Sequence, residues 1–237
     1  MALPDIGGFV LAGGKSSRMG RDKALLKLAG KPLVFYAVTK LRHVCADVHI
    51  LSSRTELEVF APLLRDLHEG CGPMGGIEVA LESSPHEWNL FIPVDMPFLP
   101  SAFLASWVQE VVGSQRQGAR VAMFTVGGVP QPLFCLLHRE VAGFVREAML
   151  RGEYKVFPVL KEAAMELAMR QGVGERDAFL NTVWDEREAA IEPRGDKVEA
   201  WREFTGAQEK SRWLWFANLN TPEEFDEAEK HLDALDT

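Results

Sequence analysis

An apolar run, Phe9-Val10-Leu11, passes directly into Ala12-Gly13-Gly14-Lys15-Ser16-Ser17-Arg18-Met19-Gly20-Arg21-Asp22-Lys23, and no other stretch limits the fold so tightly. The run reads as a buried strand, and a glycine-rich loop follows it at once. Gly13 and Gly14 carry no Cβ, so a ligand can come close to their backbone. Successive N–H groups turned inward in such a loop form an anion nest. Lys15, Arg18, Arg21 and Lys23 place cations around it. A plain basic surface turn would need neither the paired glycines nor four cations straight after a strand. The stretch is read as a seat for a polyphosphate.

Two familiar phosphate motifs do not fit. Gly14-Lys15-Ser16 matches the tail of a Walker A loop, but that motif needs a glycine five positions before its last glycine. Phe9 stands there, and Gly8 is one place too early. The loop holds no Gly-x-Gly, which removes the dinucleotide fingerprint. Charge narrows the ligand further. The chain of 237 residues carries a net charge of −8, whereas nucleic-acid binders show a basic excess. Yet residues 1–31 hold six Lys/Arg against two acids, Asp5 and Asp22. A local cationic patch on an acidic protein suits a small anion.

No apolar run nears the ~20 residues of a membrane span. Met1-Ala2-Leu3-Pro4-Asp5 lacks the basic-then-apolar layout of a signal peptide, so a cytoplasmic place without membrane or nucleic-acid partners is expected. Cys45, Cys71 and Cys135 form no Cys-x-x-Cys pair, and the six histidines show no ligand spacing. A zinc site or disulfide framework is therefore not expected.

Along the chain, strands and helices alternate. Leu25, Leu26 and Leu28 read as a short buried segment. Pro32 fits the first position of a helix whose apolar face is Leu33, Val34, Val38 and Leu41. Val48–Leu51 reads as a strand. Glu56 to Leu64 reads as a helix broken by Pro62, and Arg65–Leu67 as a short strand. Gly70-Cys71-Gly72-Pro73-Met74-Gly75-Gly76 is a second glycine-rich turn, followed by a helix over Ile77–Ser83. Leu90–Val94 is a strand ending at Asp95, with Pro93 at its limit. Ala102–Val112 is helical. Val121–Val126 and Pro132–Leu137 are strands around Gly127-Gly128. Glu140–Leu150 and Val156–Met169 are helical. Residues 171–212 are dense in charge, and a helical insertion is expected at about that range. Trp213–Phe216 reads as a late strand. Thr221, Pro222, Glu223 and Glu224 then open a last helix, through Phe225–Leu235, with an N-cap, a first-position proline and acids at the positive end.

Such alternation implies an α/β fold, a single domain over 1–237 with a mainly parallel sheet flanked by helices. Ligands bind beyond the carboxyl ends of its strands. The glycine loop, the Gly72-Pro73 turn and Asp95 each follow an expected strand, so they should meet at one edge. Asp95, held between prolines, suits Mg²⁺, which takes one or two carboxylates plus substrate phosphates. The Gly75-Gly76 pair allows a nucleobase to approach. Asp66 is either a solvated loop acid or the acceptor of two parallel bonds from guanine's N1–H and 2-amino group. Asn218 and Asn220 are either turn residues or amides for a polar heterocycle. Asp177–Thr182 echoes their segment but lacks its Asn-x-Asn-Thr-Pro-Glu-Glu sequel.

Leu-Ala-Gly-Gly-x-x-x-Arg-Met-Gly followed by Lys resembles the signature of nucleotidyltransferases with a Rossmann-like fold. With Gly30–Leu33, Gly72–Gly76, Leu90–Pro100 and Phe216–Glu224 in the same order, the chain resembles the molybdenum cofactor guanylyltransferase family. The resemblance implies transfer of GMP from GTP to the terminal phosphate of molybdopterin. It implies that Leu11, Ala12, Gly13 and Lys23 contact GTP, with Gly14, Lys15 and Gly75 in the nucleotide site. Asp66 would read guanine, Asp95 would bind Mg²⁺ and nucleotide, and Asn218 and Asn220 would belong to the pterin side. Arg18, Lys23 and Asp95 are the expected catalytic residues, and molybdoenzyme-maturation proteins are expected partners. Rival expectations are a cytidylyltransferase for the same pterin, a sugar-phosphate nucleotidyltransferase, and a non-catalytic GTP-binding carrier. Two departures stand out. Leu51-Ser52-Ser53 replaces an asparagine common in the family at the end of the second strand, and 171–212 is long.

Overall fold

A computed structural model describes residues 5–13, 22–66, 68, 70–113, 118–184 and 204–236. Its centre is a seven-stranded sheet. The strands are β1 (Ile6–Leu11), β4 (Asp47–Leu51), β5 (Leu63–Leu64), β6 (Trp88–Pro93), β7 (Val121–Val126), β8 (Val129–His138) and β9 (Phe179–Trp184), in the order β5-β4-β1-β6-β8-β7-β9. The pairs β5–β4, β4–β1, β1–β6 and β7–β9 are parallel, and β8 runs antiparallel to β6 and β7. A small hairpin, β2 (Lys27–Leu28) with β3 (Lys31–Pro32), stands apart.

The sheet lies between two apolar layers because its strands alternate side chains across both faces. Val10, Ile50, Ile92, Phe124 and Leu136 pack into one cluster with α1 (Leu33–Val44), α3 (Ser101–Gly113) and the C-terminal segment. Phe9, Leu51, Phe91, Met123 and Cys135 pack into the other, with α2 (Pro73–Ser83), α4 (Ala142–Leu150) and α5 (Val156–Gln171). The near-continuous apolar runs of β1 and β6 are what burial on both faces requires. Gly127 and Gly128, both at positive φ, close the β7–β8 hairpin, the backbone a tight two-residue hairpin turn needs. Among the described residues no helix is long and apolar enough to cross a membrane.

Several local expectations are corrected. Pro32 is the N-cap of α1, and the helix proper begins at Leu33. Only Leu28 of the three leucines after the loop is fully buried, beside Ala24. Glu56 to Leu64 is a 3-10 turn, Thr55–Leu57, followed by further turns through Ala61 and then the strand Leu63–Leu64. Pro62 cannot donate in a helix but accepts in a ladder, and its carbonyl takes the Ile50 N–H at 2.9 Å. The strand is consequently Leu63–Leu64, two residues before the expected Arg65–Leu67. Trp213–Phe216 is not a strand. Thr205 and Gln208 form a capping box for a short helix, α7 (Gly206–Lys210), and the chain keeps turning through a 3-10 segment at Arg212–Leu214. The last helix, α8, spans Pro222–Ala228 with Thr221 as the expected N-cap and Glu224 closing a capping box, then tightens into a 3-10 segment, Glu229–Ala234.

The helical reading of 171–212 fails at 179–184, and residues 185–203 lie outside the described residues. After a single turn, α6 (Glu175–Ala178), the chain enters β9, which adds an edge strand beside β7. Phe179, Thr182, Val183 and Trp184 are strand-favouring side chains that the charged flanks disguise. Trp184, which stands alone among charged residues in the sequence, stacks on Trp215 with ring centroids 5.3 Å apart. Excising 171–212 would therefore remove part of the sheet. Trp201 lies outside the described residues.

One ammonium group lies inside this core. Lys40, on α1, is fully buried, and its Nζ donates to the Pro97 carbonyl at 2.5 Å. Burial brings its pKa down from 10.5 to about 8, opposed by the charge of Asp236. Between those values the unfolded chain binds the extra proton, so this group makes the fold more stable as pH rises. The buried thiols of Cys45 and Cys135, whose pKa values are pushed up, act with the opposite sign above the ordinary thiol range. Comparison with Lys40→Met isolates the lysine. Wild-type stability is expected to gain roughly 3 kcal/mol on the variant as pH rises through that window, measured by urea unfolding. Parallel pH profiles would contradict it.

Candidate active site

Strands β5, β4, β1 and β6 run side by side in one direction, so their carboxyl ends share an edge. The chain moves outward from β1 to β4 and β5, then returns to β6 on the other side of β1. That reversal makes the β1/β6 boundary a topological switch point, where open α/β sheets bind ligands. Main-chain bonds continue past the strands there. Val94 N–H donates to the Leu11 carbonyl at 3.2 Å, and Ala12 N–H to the Leu51 carbonyl at 3.3 Å. Leu11 and Ala12 are buried and Gly13 is exposed at the mouth. Gly14, Lys15, Arg18 and Arg21 lie outside the described residues.

Lys23 enters from the far end of the glycine loop. Asp22 sets its direction. One carboxylate oxygen caps the turn Lys23–Leu25 by accepting from Ala24 N–H at 3.0 Å. The other pairs with Arg54 at 2.8 Å, a residue just past β4 that the sequence reading did not single out. A cation three residues beyond an expected strand end was the available signal. The Lys23 ammonium then reaches two partners, Asp95 Oδ2 and, at 2.5 Å, Asn220 Oδ1. Lys23 is thus paired with an acid, not held only among other cations. Asp95 keeps its second oxygen, Oδ1, buried and without a hydrogen-bond partner among the described residues. Its carbonyl accepts from Leu219 N–H at 3.1 Å.

The C-terminal segment completes this cluster through its helix cap. Thr221 Oγ1 accepts from Glu224 N–H at 3.3 Å, and Glu224 reaches back to the N–H groups of Thr221 and Asn220. Asn220 is thereby fixed, and its amide nitrogen donates to the Asn218 carbonyl at 3.1 Å. Lys23, Asp95, Asn218 and Asn220 come together across nearly the whole sequence.

Asp66 stands elsewhere on the same edge, beyond β5, against the first turn of α2. A Cβ placed on Gly75 would lie 3.2 Å from Asp66 Oδ2, and one on Gly76 3.5 Å from Oδ1. These glycines let the carboxylate rest on the start of the helix. Burial on that side raises its pKa. Among the described residues no cluster of three or more His, Cys, Asp or Glu side chains could hold a metal by itself. An ion here would need ligands from the phosphates.

Known proteins resemble this chain in sequence and in fold. The model of the MobA-like NTP transferase domain matches residues 8–167. The molybdenum cofactor guanylyltransferase of Yersinia pestis (strain Pestoides F) is 30% identical over 190 residues, which is 77% of this chain and 93% of that protein. Among solved structures, molybdopterin-guanine dinucleotide biosynthesis protein A from Archaeoglobus fulgidus superposes with a TM-score of 0.66 at 19% identity, covering 97% of this chain and all of that one. A nucleotidyl transferase from Methanothermobacter gives 0.60 at 15% identity, covering 96% and 97%. Both carry the same fold.

Proposed function

The chain belongs to the MobA-like NTP transferase family, and from that footing we propose that it transfers GMP from GTP to the terminal phosphate of molybdopterin. The observation that carries this reading is the shared ammonium of Lys23, which joins the carboxylate at the nucleotide strand end to an amide of the C-terminal segment. A donor and an acceptor phosphate would meet at that junction.

A phosphate monoester is largely dianionic at pH 7, its second pKa being about 6, so the acceptor needs no general base. One of its oxygens forms a bond to the α-phosphorus of GTP. The bond from that phosphorus to the α–β bridging oxygen breaks, and pyrophosphate leaves with the electron pair. Catalysis then rests on position and charge. Lys23, Arg18 and the Gly13-Gly14 N–H groups are assigned to the pyrophosphate. Asp95 is assigned to Mg²⁺, because its free, buried Oδ1 offers a hard anionic oxygen beside the phosphates. Bound there, the ion would supply positive charge to the phosphate oxygens. Asn218 and Asn220 are assigned to the pterin.

Asp66 is assigned to guanine. Cytosine lacks the adjacent N–H pair a carboxylate accepts, and a mismatch would leave buried polar groups unpaired. Gly75→Ala tests the assignment. Its Cβ would press on Asp66 at 3.2 Å, and GTP affinity should fall about tenfold to a hundredfold, roughly one charge-assisted hydrogen bond. Calorimetric titration measures it, and an unchanged affinity would remove Asp66 from the base site. The whole reading is tested by pyrophosphate release in the presence of Mg²⁺ and molybdopterin. Release with GTP and little with CTP is expected. Equal release would favour a different nucleotide choice, and none would return the chain to a binding role.

A further inference from the structure

We propose that Lys40 and Asp236 are positioning residues that hold the Asp95 loop in place from beneath. The loop runs from the end of β6 to the start of α3, Val94 to Pro100. It is largely buried, with Met96, Phe98 and Leu99 each 5% exposed or less. Buried backbone must find hydrogen-bond partners. Pro93, Pro97 and Pro100 have no N–H to give, so the loop is poor in donors for bonds within itself.

Distant groups secure it instead. Lys40 Nζ donates to the Pro97 carbonyl at 2.5 Å. Asp236 Oδ2 accepts from Ser101 N–H, the residue that opens α3, also at 2.5 Å. The other oxygen of Asp236 accepts from Gln208 Nε2 at 2.6 Å, and Gln208 is itself locked in the α7 capping box. Together with the Leu219 N–H on the Asp95 carbonyl, these bonds grip the loop at 95, 97 and 101.

Lys40 and Asp236 also face each other electrostatically. Lys40 lies near the Tyr36 ring, its Nζ 5.7 Å from the centroid. An apolar side chain at this core position of α1 would avoid the cost of burying a charge. It could not bond the Pro97 carbonyl, and a charged group retained in such a place points to that bond. Asp95 lies two residues from Pro97, so slack in the loop would move the carboxylate assigned to the reaction.

The proposal rests on the transferase reading only for what the loop is held to do. Full-length Asp236→Asn, Asp236→Glu and Lys40→Met would be compared by hydrogen exchange and steady-state kinetics. Exchange of amides in 94–101 should quicken about tenfold in Asp236→Asn and Lys40→Met while β1 and β4 keep their protection. Because misplacement by an ångström can cost about 10²-fold, kcat should fall about tenfold or more with KM for GTP within about threefold. Asp236→Glu, which keeps the charge, should recover part of kcat. A merely structural role would loosen β1 and β4 too, or leave kcat alone. Either result overturns the proposal, as does a loop that stays protected in the folded variants. If Lys40→Met does not fold, Asp236→Asn decides alone. If wild type releases no pyrophosphate, the transferase reading fails by itself, and the exchange data still show whether the pair grips the loop.

Discussion

Asp95→Asn is expected to lower the single-turnover rate of transfer by about 10²–10³-fold, the usual cost of losing one preorganised electrostatic stabiliser. Asparagine keeps the size of the side chain and an oxygen for the Lys23 ammonium. It loses the charge that the proposed Mg²⁺ would need at the buried, unpartnered Oδ1. Without that charge, the entering phosphate and the GTP phosphates repel each other across the site. The variant should fold at a cost of about 1–2 kcal/mol, because the Lys23 ammonium loses its counter-charge while water still reaches the pair. GTP affinity in EDTA should be alike for wild type and variant, and added Mg²⁺ should strengthen binding in wild type alone. A variant that releases pyrophosphate at close to the wild-type rate would remove Asp95 from the metal and move the site to another carboxylate.

Lys23→Ala should cost roughly 10²-fold in single-turnover rate at saturating GTP, because the ammonium assigned to the leaving pyrophosphate is gone. Its effect on stability should parallel that of Asp95→Asn. The pair is mostly buried, with side chains 21% and 14% exposed, and removing one partner leaves the other charge uncompensated. A loss of about 1–2 kcal/mol is expected, below the figure for a fully buried pair because water still reaches these groups. Adding Asp95→Asn to Lys23→Ala should restore much of that stability and none of the activity. Urea unfolding of both single variants and the double variant measures the coupling. An unchanged rate in Lys23→Ala would deny the lysine its phosphate role.

The parallel half of the sheet was legible because its strands are buried on both faces and read as unbroken apolar runs ended by glycine or aspartate. Phe9–Leu11 and Leu90–Val94 are such runs, and each delivers the chain straight into the site. The Thr221 cap was legible because helix starts have local chemistry. β9 was not. Its six residues sit between dense charges, and an edge strand has one neighbour and a weaker apolar signal. Trp213–Phe216 carries the composition of a strand, but the rings of Trp215 and Phe216 fill an aromatic cluster with Phe103 and Phe124, and tertiary packing overrides local preference. Lys40 and Arg54 were illegible for another reason. Their partners, Pro97 and Asp22, are remote in sequence, and a lone lysine or arginine does not announce what it will meet. Asp66, Asp95, Asn218 and Asn220 were picked out one by one. What the fold adds is that three of them share a neighbourhood with Lys23 while Asp66 keeps a separate place on the same edge.

Lys23 and Asn220 touch although 197 residues separate them. During synthesis at about 5–20 residues per second, roughly 10–40 s pass between the emergence of the first and of the second. Once β6 has emerged, a nascent chain owns the glycine loop, β1 and β6 but for the rest of that interval has no Asn220 amide to share the ammonium. Non-local closure of this kind is entropically late, so refolding should gather the parallel strands first and seat the C-terminal segment last. A ribosome-bound chain halted before residue 218 would then present a lysine and an aspartate engaged only with each other. The candidate site is in this sense a timer, set by the arrival of the segment that carries Asn220.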